Sequence, residues 1–67
     1  MSVARITELS ASSKKSFADA LDLGVKRATK TLKGVQSAWV SSQEVILKND
    51  KISEYRVRLK VTFVLQD

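Results

Sequence analysis

The chain has no cysteine, no histidine and no proline, only two glycines, and one tryptophan, one tyrosine and two phenylalanines. Without cysteine neither a disulfide nor a thiolate metal site can form. Without histidine the commonest transition-metal ligand and the usual general base are missing. No long apolar run and no signal-peptide pattern is present, so the expectation is a soluble cytoplasmic protein without membrane contact. No linker, repeat or low-complexity segment interrupts the chain, which reads as a single domain over residues 1–67. A 67-residue chain sits near the size at which one core is only marginally sufficient. Small domains add disulfides, a structural metal or oligomerisation, and oligomerisation is the device left open here.

Twelve Lys and Arg stand against seven Asp and Glu, a net charge of +5. The charges are spread along the chain rather than gathered in one run, which reads as keeping a small protein soluble rather than as a cationic particle that attracts phosphates or nucleic acid.

The clearest pattern is at the end. Tyr55, Val57, Leu59, Val61, Phe63 and Leu65 occupy odd positions, with Arg56, Arg58, Lys60 and Thr62 between them. Alternation of this length predicts a β-strand with one dry and one charged face. The basic stripe has no interleaved aromatics, so specific nucleic-acid binding is not expected.

Upstream, Phe17, Leu21, Val25, Ala28 and Leu32 recur at helical spacing. Ser16 is the expected N-cap with Asp19 as its box partner, and Gly34 the expected left-handed stop. Asp19 and Asp22 near the start and Lys26, Arg27, Lys30 and Lys33 near the end suit the helix dipole. Residues Met1 to Ser10, with Val3, Ile6 and Leu9, read as a first strand, and Ala11 to Lys15 as a connection. Val35 to Lys48 reads as a strand whose apolar phase slips between Val40 and Val45. A β-bulge in Ser41-Ser42-Gln43-Glu44 restores one face. Asn49-Asp50-Lys51 is the expected hairpin loop.

The predicted fold class is therefore α+β: a β-α-β-β subunit with a three-stranded antiparallel sheet wrapped around one helix. A right-handed crossover places the last strand between the first two. A twelve-residue strand spans roughly 40 Å and an eighteen-residue helix about 27 Å, so the sheet should overhang the helix and need cover from neighbouring subunits.

In this order the chain resembles the dodecin family. The likeness is carried by the first strand and its Ser10-Ala-Ser-Ser13 turn, by Ser16-Phe17-Ala-Asp-Ala20, by Arg27-Ala28-Thr-Lys-Thr-Leu32, and by Tyr55-Arg-Val-Arg-Leu-Lys-Val-Thr-Phe-Val-Leu65. It implies a homododecamer, twelve subunits in a hollow shell. It also implies flavin (riboflavin or FMN) held in aromatic sandwiches between subunits for storage, without catalysis. In flavin-binding members a Trp early in the second strand stacks on the ring. A Gln on the third strand, directly after an aromatic residue, bonds the ring's polar edge. Aligned back from the third strand, these positions fall on Ser37 and Arg56, and this chain's tryptophan is Trp39. Arg donates hydrogen bonds but cannot accept them.

The candidate binding residues are therefore Trp39, Ser37, Arg56, Arg58 and Lys60, with no catalytic residues. Trp39 should face away from the helix, with Lys60 opposite and Arg58 diagonal. An indole beside cations suits a flat anionic ligand such as FMN, whereas an indole anchoring a subunit interface needs no ligand. Glu44, Asp50, Glu54 and Asp67 are the conceivable oxygen ligands for a metal, but no loop motif assigns them. The alternative function is a flavin-free shell acting as an ion-binding or interaction scaffold.

Overall fold

The computed structural model describes residues 3–65. Its elements run β1 (Ala4–Ser13), α1 (Phe17–Thr31), β2 (Val35–Lys48) and β3 (Lys51–Val64). The sheet order is β1-β3-β2, with both outer strands antiparallel to β3. The expected β-α-β-β architecture, with β3 central, is what the chain adopts.

The reason is visible in β3. Val57, Leu59 and Val61 are fully buried against the helix, while Arg58 between them is exposed. The expected bulge lies in the polar run: the β2–β3 register slips between Val40 and Ser42. It brings Ala38, Val40, Gln43 and Val45 opposite Val61, Leu59, Val57 and Tyr55, all on the helix side. A second slip, between Val35 and Ser37, was not anticipated. It turns Val35 inward opposite Phe63 and Ser37 outward opposite Thr62. The hairpin turn is tighter than the three-residue loop expected. Asn49 and Asp50 both take positive φ (55° and 63°), the two-residue type I′ geometry, and Lys51 already pairs with Lys48.

Three expectations need correction. First, β1 runs through Ser13, so Ala11–Ser13 are strand rather than connection. Its register, Leu9 opposite Leu59 and Ala11 opposite Val57, points odd residues at the helix. Ile6 therefore faces outward, 62% exposed. Met1 and Ser2 of the predicted strand lie outside the described residues. Second, α1 ends at Thr31 with Leu32 as its C-cap, whose N–H bonds the Ala28 carbonyl. Gly34 (φ +75°) shapes the turn into β2, its carbonyl accepting from the Val64 N–H, and does not cap the helix. Third, the capping box is half formed. The Ser16 hydroxyl accepts from the Asp19 N–H (3.0 Å), but the Asp19 carboxylate takes the Ser13 hydroxyl (2.6 Å).

The helix also packs more closely than its apolar stripe suggests. Its buried line is Ala20, Gly24 and Ala28, one turn apart, flanked by half-buried Phe17, Leu21 and Leu32. A Cβ on Gly24 would lie 2.6 Å from Leu59 Cδ1 and 3.2 Å from Ala11 Cβ, so only glycine admits this approach. Phe17 meets Tyr55 edge to face (centroids 5.1 Å apart), closing the N-terminal end of the core.

That core is small for the sheet it serves. Fourteen-residue strands extend about 46 Å and a fifteen-residue helix about 22 Å. The long dimension is 50 Å and the radius of gyration 13.8 Å, against about 11 Å for a compact chain of this length. The accessible surface is 5253 Å², whereas a compact monomer of this mass exposes roughly 4200 Å². The overhang is apolar: Leu47 and Ile52 pair across the hairpin, exposed at 61% and 53%, beyond the helix start. No helix among the described residues is long and apolar enough to cross a membrane.

Candidate functional site

The outer face of the sheet, turned from α1, carries the candidate residues as a grid across β1, β3 and β2. Strand pairing gives its rows: Ile6–Thr62–Ser37, Glu8–Lys60–Trp39, Ser10–Arg58–Ser42 and Ser12–Arg56–Glu44. The grid follows from β3's alternation, which drives Val57, Leu59 and Val61 inward and leaves even residues outward. The Ser41 bulge keeps Trp39 and Glu44 on that face although they differ in parity. The Ser41 hydroxyl donates to the Arg58 carbonyl (3.2 Å), giving the bulged residue a cross-strand partner.

Trp39 is 63% exposed and stands directly opposite Lys60, as its register predicts. The Lys60 ammonium lies 5.2 Å from the indole centroid, within cation–π range. Ser37 is two residues before Trp39 with no slip between them, so the two share the outer face, and Thr62 sits opposite Ser37. Two hydroxyls thus stand one row from the indole. Arg58 falls diagonal to Trp39 as expected, but its guanidinium is drawn toward Glu44 (3.5 Å). Arg56 lies a row further off. It also approaches Glu44 (3.9 Å), and its Nε donates to the Ser12 hydroxyl (3.1 Å). The structure therefore gathers Trp39, Lys60 and Ser37 and sets Arg56 apart from them.

Charge on this face is unevenly matched. Arg56 and Arg58 share the one carboxylate of Glu44, and these exposed pairs contribute little to stability. Among the described residues Lys60 has no carboxylate within 4 Å, and its ammonium rests on the indole. Glu8, Thr62 and Ser12 were missed as neighbours of the site. The misphased reading of β1 around Ile6 hid Glu8, and taking Ala11 to Lys15 as a connection hid Ser12; once Leu9 pairs with Leu59 and β1 runs to Ser13, both fall on the outer face.

Among the described residues the chain encloses no pocket, and no three carboxylates gather where one ion could be held. Asp67, one conceivable metal ligand, lies outside the described residues. As a single chain the site is an open platform: an indole, an ammonium at its face, and hydroxyls beside it. Such a platform can stack a flat conjugated ring on one side, and closing the other side requires a second surface.

The dodecin family model matches residues 3–66, nearly the whole chain. The chain belongs to the dodecin family. A variant of the Thermus thermophilus dodecin shares its fold with a TM-score of 0.92 at 27% identity, covering 100% of both chains. The dodecin of Streptomyces davaonensis gives a TM-score of 0.92 at 26% identity, covering 98% of this chain and 97% of its own. A calcium dodecin from Mycobacterium tuberculosis, described as calcium-chelating, gives 0.85 at 23% identity over 96% of this chain and 91% of its own, a likeness of fold alone. No curated protein matches the sequence.

Proposed function

We propose that this dodecin-family chain assembles as a homododecamer that sequesters a flavin, riboflavin or FMN, between subunits, with Trp39 as the stacking surface. The observation that carries the reading is an indole 63% exposed on an open sheet face, with Lys60 at its ring. An exposed indole next to polar neighbours matches a conjugated ring with a polar rim: stacking removes apolar area from water while the rim keeps its hydrogen bonds. Ser37 and Thr62 supply hydroxyls that both donate and accept, suited to carbonyl and N–H groups on the ring edge. Lys60 supplies a cation for a phosphate, Arg58 lies toward Glu44 a row away, and Arg56 stands where the family resemblance places a Gln. A second subunit closes the platform into a sandwich. The 50 Å overhanging sheet and its apolar hairpin end fit a chain that finishes its core by assembly. Binding and storage, with quenching of the excited flavin by the stacked indole, is the activity proposed, and no covalent chemistry is assigned.

One observation favours the second reading, a flavin-free shell. The Arg56 guanidinium is already engaged by Ser12 and Glu44 and offers no acceptor to a flavin edge. Equilibrium dialysis separates the two. The proposal expects the wild-type shell to retain flavin and Trp39→Ala to lose it while light scattering shows the same particle. Flavin retention unchanged in Trp39→Ala, or none in the wild type, contradicts it.

A further inference from the structure

We infer that Lys60 is the specificity-determining residue of the Trp39 platform, making it select a flavin that carries an anionic group over a neutral one. This rests on the flavin reading above and adds to it the charge class of the occupant. Three observations carry it. The Lys60 ammonium lies 5.2 Å from the Trp39 centroid, so it is held at the surface on which a ring would stack. The guanidinium groups of Arg56 and Arg58 both lie toward a shared Glu44 (3.9 and 3.5 Å), whereas Lys60 has no carboxylate within 4 Å among the described residues. Lys60 is also only partly exposed, in the middle row of the central strand, with Glu8 across from it on β1 and Trp39 on β2.

A ring laid on Trp39 meets this ammonium in either of two ways. A neutral flavin displaces it from the indole face, losing the cation–π contact, or leaves it partly desolvated without an anion. A flavin bearing a phosphate monoester supplies the anion, and the flexible four-carbon stem of Lys60 lets the ammonium swing from indole to phosphate. The same residue therefore penalises the neutral ligand and rewards the charged one. Partial burial by a second subunit would weaken screening and enlarge the difference. A charge-assisted hydrogen bond of ordinary strength corresponds to a preference of about tenfold or more.

The test is calorimetric titration of the intact assembly with FMN and with riboflavin, in wild type, Lys60→Met and Lys60→Arg, at low and high salt. Methionine keeps an unbranched stem of similar reach without the charge. Expected is an FMN preference of about tenfold in wild type, shrinking at high salt, retained in Lys60→Arg and falling to about twofold or less in Lys60→Met, with riboflavin bound as well or better there. Equal binding of both flavins by wild type overturns the inference and leaves the flavin site standing. A preference undiminished in Lys60→Met overturns the role of Lys60. Failure of both flavins to bind overturns the functional reading together with this one.

Discussion

The contact between Gly24 and Leu59 offers a quantitative check on the packing. A Cβ at Gly24 would sit 2.6 Å from Leu59 Cδ1, about 1 Å inside ordinary carbon–carbon contact, and 3.2 Å from Ala11 Cβ. Leu59 is fully buried, so shifting its methyl means repacking against its core neighbours. Gly24→Ala therefore carries an overpacking cost of about 2 kcal/mol, offset by about 1 kcal/mol of gained helix propensity. The net is about 1 kcal/mol of destabilisation. Leu59→Val removes the clashing methyl and costs about 1 kcal/mol through the small cavity it leaves. In the double variant the new alanine methyl fills that cavity and the propensity gain survives, so its stability should equal or exceed wild type. The expected coupling is about 2–3 kcal/mol in favour of the pair, well outside the scatter of independent sites. Urea unfolding at one fixed protomer concentration measures it, since assembly links stability to concentration. A coupling within about 0.5 kcal/mol of zero would refute the close helix–sheet approach.

Further outcomes follow from other contacts. Ser16→Ala removes the acceptor for the Asp19 N–H and should cost about 1 kcal/mol, read from the same unfolding midpoint; no change would mean the Ser13–Asp19 bond alone holds the helix start. Arg56→Gln exchanges a donor-only group, tied to Ser12 and Glu44, for one that donates and accepts; flavin affinity should rise several-fold at nearly unchanged stability, and weaker or unchanged binding would remove the significance given to that position. Light scattering should find a particle of twelve subunits, and a monomer or dimer would contradict the assembly inferred from the uncovered sheet.

The elements were legible where one physical demand dominated the local sequence. Val57, Leu59 and Val61 alternate strictly with charged residues, so β3 and its faces could be read directly, and the phase slip between Val40 and Val45 exposed the bulge. From that register the Trp39–Lys60 pairing followed. The failures share a cause: tertiary contact overrode a local pattern. Ile6 looked like core because it is apolar, but pairing with β3 turns it outward. Gly34 looked like a helix stop, but Leu32 must leave the helix earlier to reach the core. Gly24 carried no apolar signal although its missing side chain sets how closely helix and sheet meet. At the candidate site, charges could be placed on a face but not partitioned. That Glu44 would draw both arginines and leave Lys60 to the indole depended on side-chain reach, which periodicity does not encode.

The central claim is that Trp39 is a flavin-stacking surface, and its fluorescence tests this most directly because the chain has a single tryptophan. In a titration of the purified assembly with riboflavin and FMN, the account predicts saturable mutual quenching of Trp39 and flavin emission, with no more than one flavin bound per subunit. Trp39 emission that stays constant up to high micromolar flavin would contradict it and leave the indole as a subunit contact in a flavin-free shell.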